Sequence, residues 1–114
     1  MDDVHGRLQE RVRVEGTLRL LVKGRAGFLV GSGEIVDLSE GGCAMRVRNS
    51  GIEAGLTGRI EVAIAGESLA WPIVTRWVRL EPGGWVVGCR FDGLTVEDQQ
   101  AVHALITETR SIII

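Results

Sequence analysis

From Val12 the chain alternates cleanly. Val12, Val14, Leu18, Leu20 and Val22 share one face, and Arg11, Arg13, Glu15, Thr17 and Arg19 share the other. A period of two with one apolar side predicts a half-buried strand. A second strand-like run spans Phe28 to Asp37 and ends at the turn DLSEGG. A third puts Cys43, Met45 and Val47 opposite Arg46 and Arg48, and NSGIEAGLTG reads as a connection. A fourth sets Ile60, Val62 and Ile64 against Arg59 and Glu61. After a turn at residues 65–67, a long run extends from Leu69 to Leu80. Its Pro72 points to an edge or a bulge, because proline cannot donate to a ladder. Glu81-Pro82-Gly83-Gly84 is a hairpin signal, and Trp85, Val87, Cys89 and Phe91 share a face of the last strand.

The period then becomes helical. Ala101, Val102, Leu105 and Ile106 form a stripe at helical spacing. Thr95 is placed as the N-cap with Asp98 in the capping-box position, and the helix is expected to end near Arg110. The expected fold is all-β: a six-stranded antiparallel β-barrel followed by one packing helix. Closure would remove the exposed edges that six strands otherwise leave. The expected division is a mobile arm over 1–10, the barrel and helix over 11–110, and a tail over 111–114.

Composition narrows the chemistry. The 114 residues fit one domain, and 45% of them are hydrophobic, enough for a core. A net charge of −2 excludes a chain built to coat nucleic acid or an anionic membrane, so any anion site must be local. No apolar run reaches the ~20 residues of a membrane span, and the first residues lack a signal-peptide core, so a cytoplasmic setting is expected. No metal-ligand cluster, phosphate loop or nucleophile-base set stands out, so neither an enzyme nor a resident cofactor is expected. Cys43 and Cys89 read as small buried apolar residues, with a disulfide or redox pair as the alternative. Trp71 and Trp77 share a parity on one strand. With Trp85 they are expected in the barrel or under the helix, with stacking on a base as the alternative. His103 is expected on the helix surface, and His5 in the arm.

Two short clusters remain. Arg7 and Arg11 form an R-x-x-x-R pair, and Asp37, Ser39 and Gly42 form D-x-S-x-x-G. Arginine's planar fork donates bidentately to phosphate oxygens or to guanine O6 and N7. Asp37 and Ser39 can bond the local backbone as an ordinary turn, or meet a guanine edge. Gly41 and Gly42 are expected to permit positive φ or a close backbone approach. In this order the clusters resemble the PilZ domain, a bacterial receptor module for cyclic di-GMP. The resemblance extends over roughly residues 6 to 108 and includes the Gly88-Cys89-Arg90-Phe91 strand and the terminal helix.

The resemblance implies that Arg7 and Arg11 contact phosphates and guanines, that Asp37 and Ser39 hold a guanine, and that Gly42 allows the turn. Arg13 and Gly41 are possible secondary contacts. Gly6 stands where many members carry another arginine, and one bound ligand is expected over an intercalated pair. The implied function is a cyclic di-GMP receptor whose arm orders on binding and which signals to a downstream protein partner. The alternative is an adaptor of the same fold that does not bind the nucleotide. No nucleic-acid polymer or membrane is expected as partner, and the chain is expected to be a monomer or weak homodimer.

Overall fold

The computed structural model describes residues 17–24, 27–48, 51–64 and 66–113. Six strands lie in chain order: β1 (Thr17–Gly24), β2 (Gly27–Ser39), β3 (Gly42–Val47), β4 (Thr57–Ile64), β5 (Glu67–Glu81) and β6 (Gly84–Phe91). One helix follows, α1 (Val96–Ile113). Every strand pairing is antiparallel, and the sheet closes on itself in the order β1-β2-β3-β6-β5-β4. No strand among these is left with an open edge, which is the expected closed barrel.

Alternation sets what faces inward. Leu18, Leu20 and Val22 from β1, Cys43, Met45 and Val47 from β3, and Ile60 and Val62 from β4 are all buried. Trp71 and Ile73 join them from β5, and Val87 and Cys89 from β6. Trp71 meets Phe91 edge to face, with centroids 5.5 Å apart. The connection from β3 to β4 must cross one end of the barrel, because these strands are not neighbours. It carries Ile52 into the core, and Gly31 opposite leaves room: a Cβ there would stand 3.3 Å from the Ile52 methyl. Thr75 fastens this crossing. Its Oγ1 donates to the Glu53 carbonyl at 2.6 Å and accepts from the Leu56 N–H at 2.9 Å.

Pro72 sits inside β5, paired with Arg59 of β4. The Asp92 N–H donates to its carbonyl at 3.0 Å, just past the end of β6. A residue's N–H and C=O point to the same side of a strand. The missing N–H therefore faces the short stretch where β6 has run out, so the proline behaves as an edge residue within a closed barrel.

Thr95 caps α1 as expected: its Oγ1 accepts from the Asp98 N–H at 3.0 Å. Val102 and Ile106 are buried in the core, with Ala101 and Leu105 half-buried beside them. The helix runs to Ile113, past the expected end at Arg110, so Ser111, Ile112 and Ile113 are helical.

Candidate functional site

The site is built on β2 and β3, joined by the tight turn Glu40–Gly41 inside DLSEGG. Strict alternation from buried Ile35 would send Asp37 and Ser39 into the core. A bulge between Ile35 and Asp37 prevents this, with Val36 as the extra residue. Leu38 becomes the inward residue, fully buried, and Asp37 and Ser39 take the outer face.

The register places this outer face in rows across four strands. Ser39, Gly42, Arg90 and Val74 form one row. Asp37, Ala44, Gly88 and Trp77 form the next, and Glu34, Arg46, Val86 and Arg79 a third. The middle of the first two rows is therefore a stretch of small residues, Gly42, Ala44 and Gly88, all of them buried. Asp37 and Ser39 stand on one side of it and Trp77 on the other.

Gly42 is required by close approach and not by positive φ, which corrects half of the expected reason. A Cβ there would lie 2.0 Å from the Cys89 carbonyl oxygen. Ser39 is only 2% exposed, and its hydroxyl donates to the Gly42 carbonyl at 3.2 Å. Its donor is thus committed to the hairpin while its lone pairs can still accept. Asp37 is half-buried and engaged by a neighbour.

Trp77 is not in the barrel, contrary to expectation. A second bulge, between Thr75 and Trp77, flips the parity of β5 with Arg76 as the extra residue. Trp71 stays inside, Trp85 is half-buried against the core, and Trp77 is 37% exposed on the outer face. Its indole lies directly on Gly88, where a Cβ would stand 2.1 Å from Cε2. The Arg79 guanidinium is 4.5 Å from the indole centroid. Arg79 also meets Glu81 at 3.0 Å, and Arg46 lies 3.9 Å from both Glu34 and Glu81. Arg46, Arg79 and exposed Arg90 share the face with Glu34, Glu81 and Asp37, so its charges are mixed in sign.

Sequence reasoning gave Trp77 a place near a base only as the alternative to the core, and it missed Gly88 as part of this face. The available signal was the Gly88 position itself, a glycine in a strand marking a close approach. It also left His103 without a partner; its Nδ1 is 3.2 Å from Glu40 Oε2, linking α1 to the DLSEGG turn. Arg7, Arg11, Arg13, His5 and Gly6 lie outside the described residues. Gly41 occupies the turn.

A cavity of about 730 Å³ opens elsewhere, between β1, β2, β4 and β5, lined by Leu18, Arg19, Ser32, Arg48, Glu61 and Leu69 among others. It touches neither Asp37 nor Ser39. Among the described residues no cluster of His, Cys, Asp and Glu could hold a metal ion, and no helix is long and apolar enough to cross a membrane.

A family model for the PilZ domain matches residues 6–108. No curated protein matches the chain by sequence. Among solved structures, the PilZ domain of YcgR from Escherichia coli with c-di-GMP is similar at a TM-score of 0.77 and 12% identity, covering 92% of each chain. The PilZ domain of CeSA from a cellulose-synthesizing bacterium gives 0.63 at 18% identity, covering 92% of this chain and 99% of that one. The inhibitor of motility MotI/DgrA from Bacillus subtilis gives 0.64 at 15% identity; the match covers 90% of this chain and 51% of that longer one.

Proposed function

Since the chain belongs to the PilZ domain family, we propose that it is a cyclic di-GMP receptor whose ligand is held at the β2–β3 hairpin that carries Asp37 and Ser39. The observation that carries this reading is the outward placement of Asp37 and Ser39 beside Gly42, Ala44 and Gly88. Asp37 and the lone pairs of Ser39 accept from a guanine N1–H and N2–H edge. Gly42 keeps the hairpin tight enough for both to act together.

Arg7 and Arg11 supply the cations. Each charge-assisted contact to a phosphate or to guanine O6 and N7 contributes about 1.5–3 kcal/mol net. The dianion draws the N-terminal arm over the face, and the arm's ordering is the event a partner protein reads. Arg13 adds positive potential near the same ligand. Trp77, its indole lying over Gly88, covers the far side of the face. Nothing here asks the protein to make or break a covalent bond of the ligand, so it acts as a receptor and not as an enzyme. The absence of an arginine at Gly6 favours one ligand over an intercalated pair. A cytoplasmic setting follows from the ligand, an intracellular messenger.

Calorimetric titration of the full chain with cyclic di-GMP tests the proposal. One ligand per chain is expected, with Arg7→Ala, Arg11→Ala and Asp37→Ala each weakening affinity at least tenfold, about 1.4 kcal/mol. No heat and no competition at about tens of micromolar ligand would overturn it. That result would favour the adaptor reading, in which the same face meets a protein without the nucleotide.

A further inference from the structure

We infer that Arg90 is a further ligand-binding residue of this face, one that lies in neither motif: its guanidinium holds a phosphate of the cyclic dinucleotide gripped by Asp37 and Ser39. The inference rests on the receptor reading above and adds to it a cation fixed on the barrel wall.

The ladder brings Arg90 to the site. Gly42 pairs with Ser39 on one side and with Arg90 on the other. Ser39 and Arg90 are therefore two strand spacings apart, about 10 Å between backbones. Val87 and Cys89 face the core, so the alternation of β6 turns Arg90 outward, where it is exposed. Gly42 stands between them in the row and carries no side chain to block the way. An arginine extended along that row covers much of the distance.

Charge singles out the same residue. Of the three arginines in the rows of this face, Arg90 alone has no carboxylate partner. Arg79 meets Glu81 at 3.0 Å, and Arg46 lies 3.9 Å from both Glu34 and Glu81. No ion pair or hydrogen bond engages the Arg90 side chain, and Asp92, two residues on, does not pair with it. Arg76, also exposed, is the extra residue of the β5 bulge and holds no rung of the ladder. A paired arginine must leave its carboxylate to meet a ligand; Arg90 gives up only water.

The ligand supplies the complement. Asp37 and Ser39 take the N1–H and N2–H edge of a guanine, and the base carries its ribose and phosphate at the opposite end. What is left to hold there is an anionic acceptor. Arginine only donates, and its fork matches two phosphate oxygens. Arg7 and Arg11 come with the N-terminal arm, whereas β6 is paired on both sides, so this contact requires no backbone to order.

Calorimetry of the full chain with cyclic di-GMP, beside phosphorus NMR of the bound ligand, tests the inference. Arg90→Ala should weaken affinity about tenfold or more, the effect of one lost charge-assisted contact. Its Tm should stay within about 3 °C of the natural chain. Arg90→Lys keeps a charge without the fork and should fall between the two. Lys23→Ala removes an equal, exposed charge from β1, across the barrel from β6, and should change affinity by less than about twofold. At saturating ligand, Arg90→Ala should shift a phosphorus resonance of the bound nucleotide. A natural chain that binds, with Arg90→Ala matching it within about twofold, overturns the inference and leaves the receptor reading standing. Equal losses in Arg90→Ala and Lys23→Ala would trace the effect to net charge and overturn it as well, as would a loss without a phosphorus shift. No binding by the natural chain would remove the receptor reading itself, and the inference with it.

Discussion

At the scale of single residues, the glycines of the outer face differ in what stands over them, and their substitutions should differ accordingly. A Cβ at Gly42 meets the backbone oxygen of Cys89, which cannot move without parting β3 from β6. Gly42→Ala is expected to destabilise the barrel by about 3 kcal/mol, measured by urea unfolding. The atoms nearest a Cβ at Gly88 all belong to the indole of Trp77, a side chain that can swing outward. Gly88→Ala should cost about 1 kcal/mol and shift tryptophan emission to the red as Trp77 leaves the sheet. Equal losses for the two variants would contradict this difference. Neither role was visible in the residue names. DLSEGG marked a turn, but whether its glycine served positive φ or close packing depended on the Cys89 carbonyl, which β6 brings from far along the chain.

At the scale of elements, the bulges in β2 and β5 decide which residues meet. Each inserts one residue, Val36 or Arg76, and each exchanges inside for outside beyond it. The β5 bulge lies next to Thr75, whose hydroxyl and backbone hold the crossing from β3 to β4. Thr75→Val keeps the shape but leaves the Leu56 N–H and the Glu53 carbonyl without that hydroxyl. A loss of about 3 kcal/mol is expected in chemical denaturation. Weakening of cyclic di-GMP binding should accompany it only if Trp77 shifts with the bulge, which its emission reports. The start of the helix was legible in the sequence: Thr95→Ala should cost about 1 kcal/mol, as an N-cap loss does. By contrast, the exposed His103–Glu40 contact is a surface pair, and His103→Ala should change stability by less than about 1 kcal/mol.

At the scale of the whole molecule, closure joins β1 to β4, strands separated in the chain by two others. Such non-local pairing slows folding, and its central amides should exchange with solvent last. Hydrogen exchange is expected to be slowest at Leu20, Ile60, Met45 and Val87, and fast exchange at the β1–β4 rungs would argue against a closed barrel in solution. Ligand affinity should fall as salt rises, because the charges on the face are partly exposed and the ligand is a dianion. The sequence by itself determined the number of strands, their apolar faces, the hairpin at Pro82–Gly83, the capped helix and the family motifs, because periodicity, turn chemistry and capping are local properties of a chain. Only the tertiary structure decided which face Asp37, Ser39 and Trp77 occupy. A bulge is a mismatch between two paired strands, so its position is a property of the pair and is written in neither strand alone.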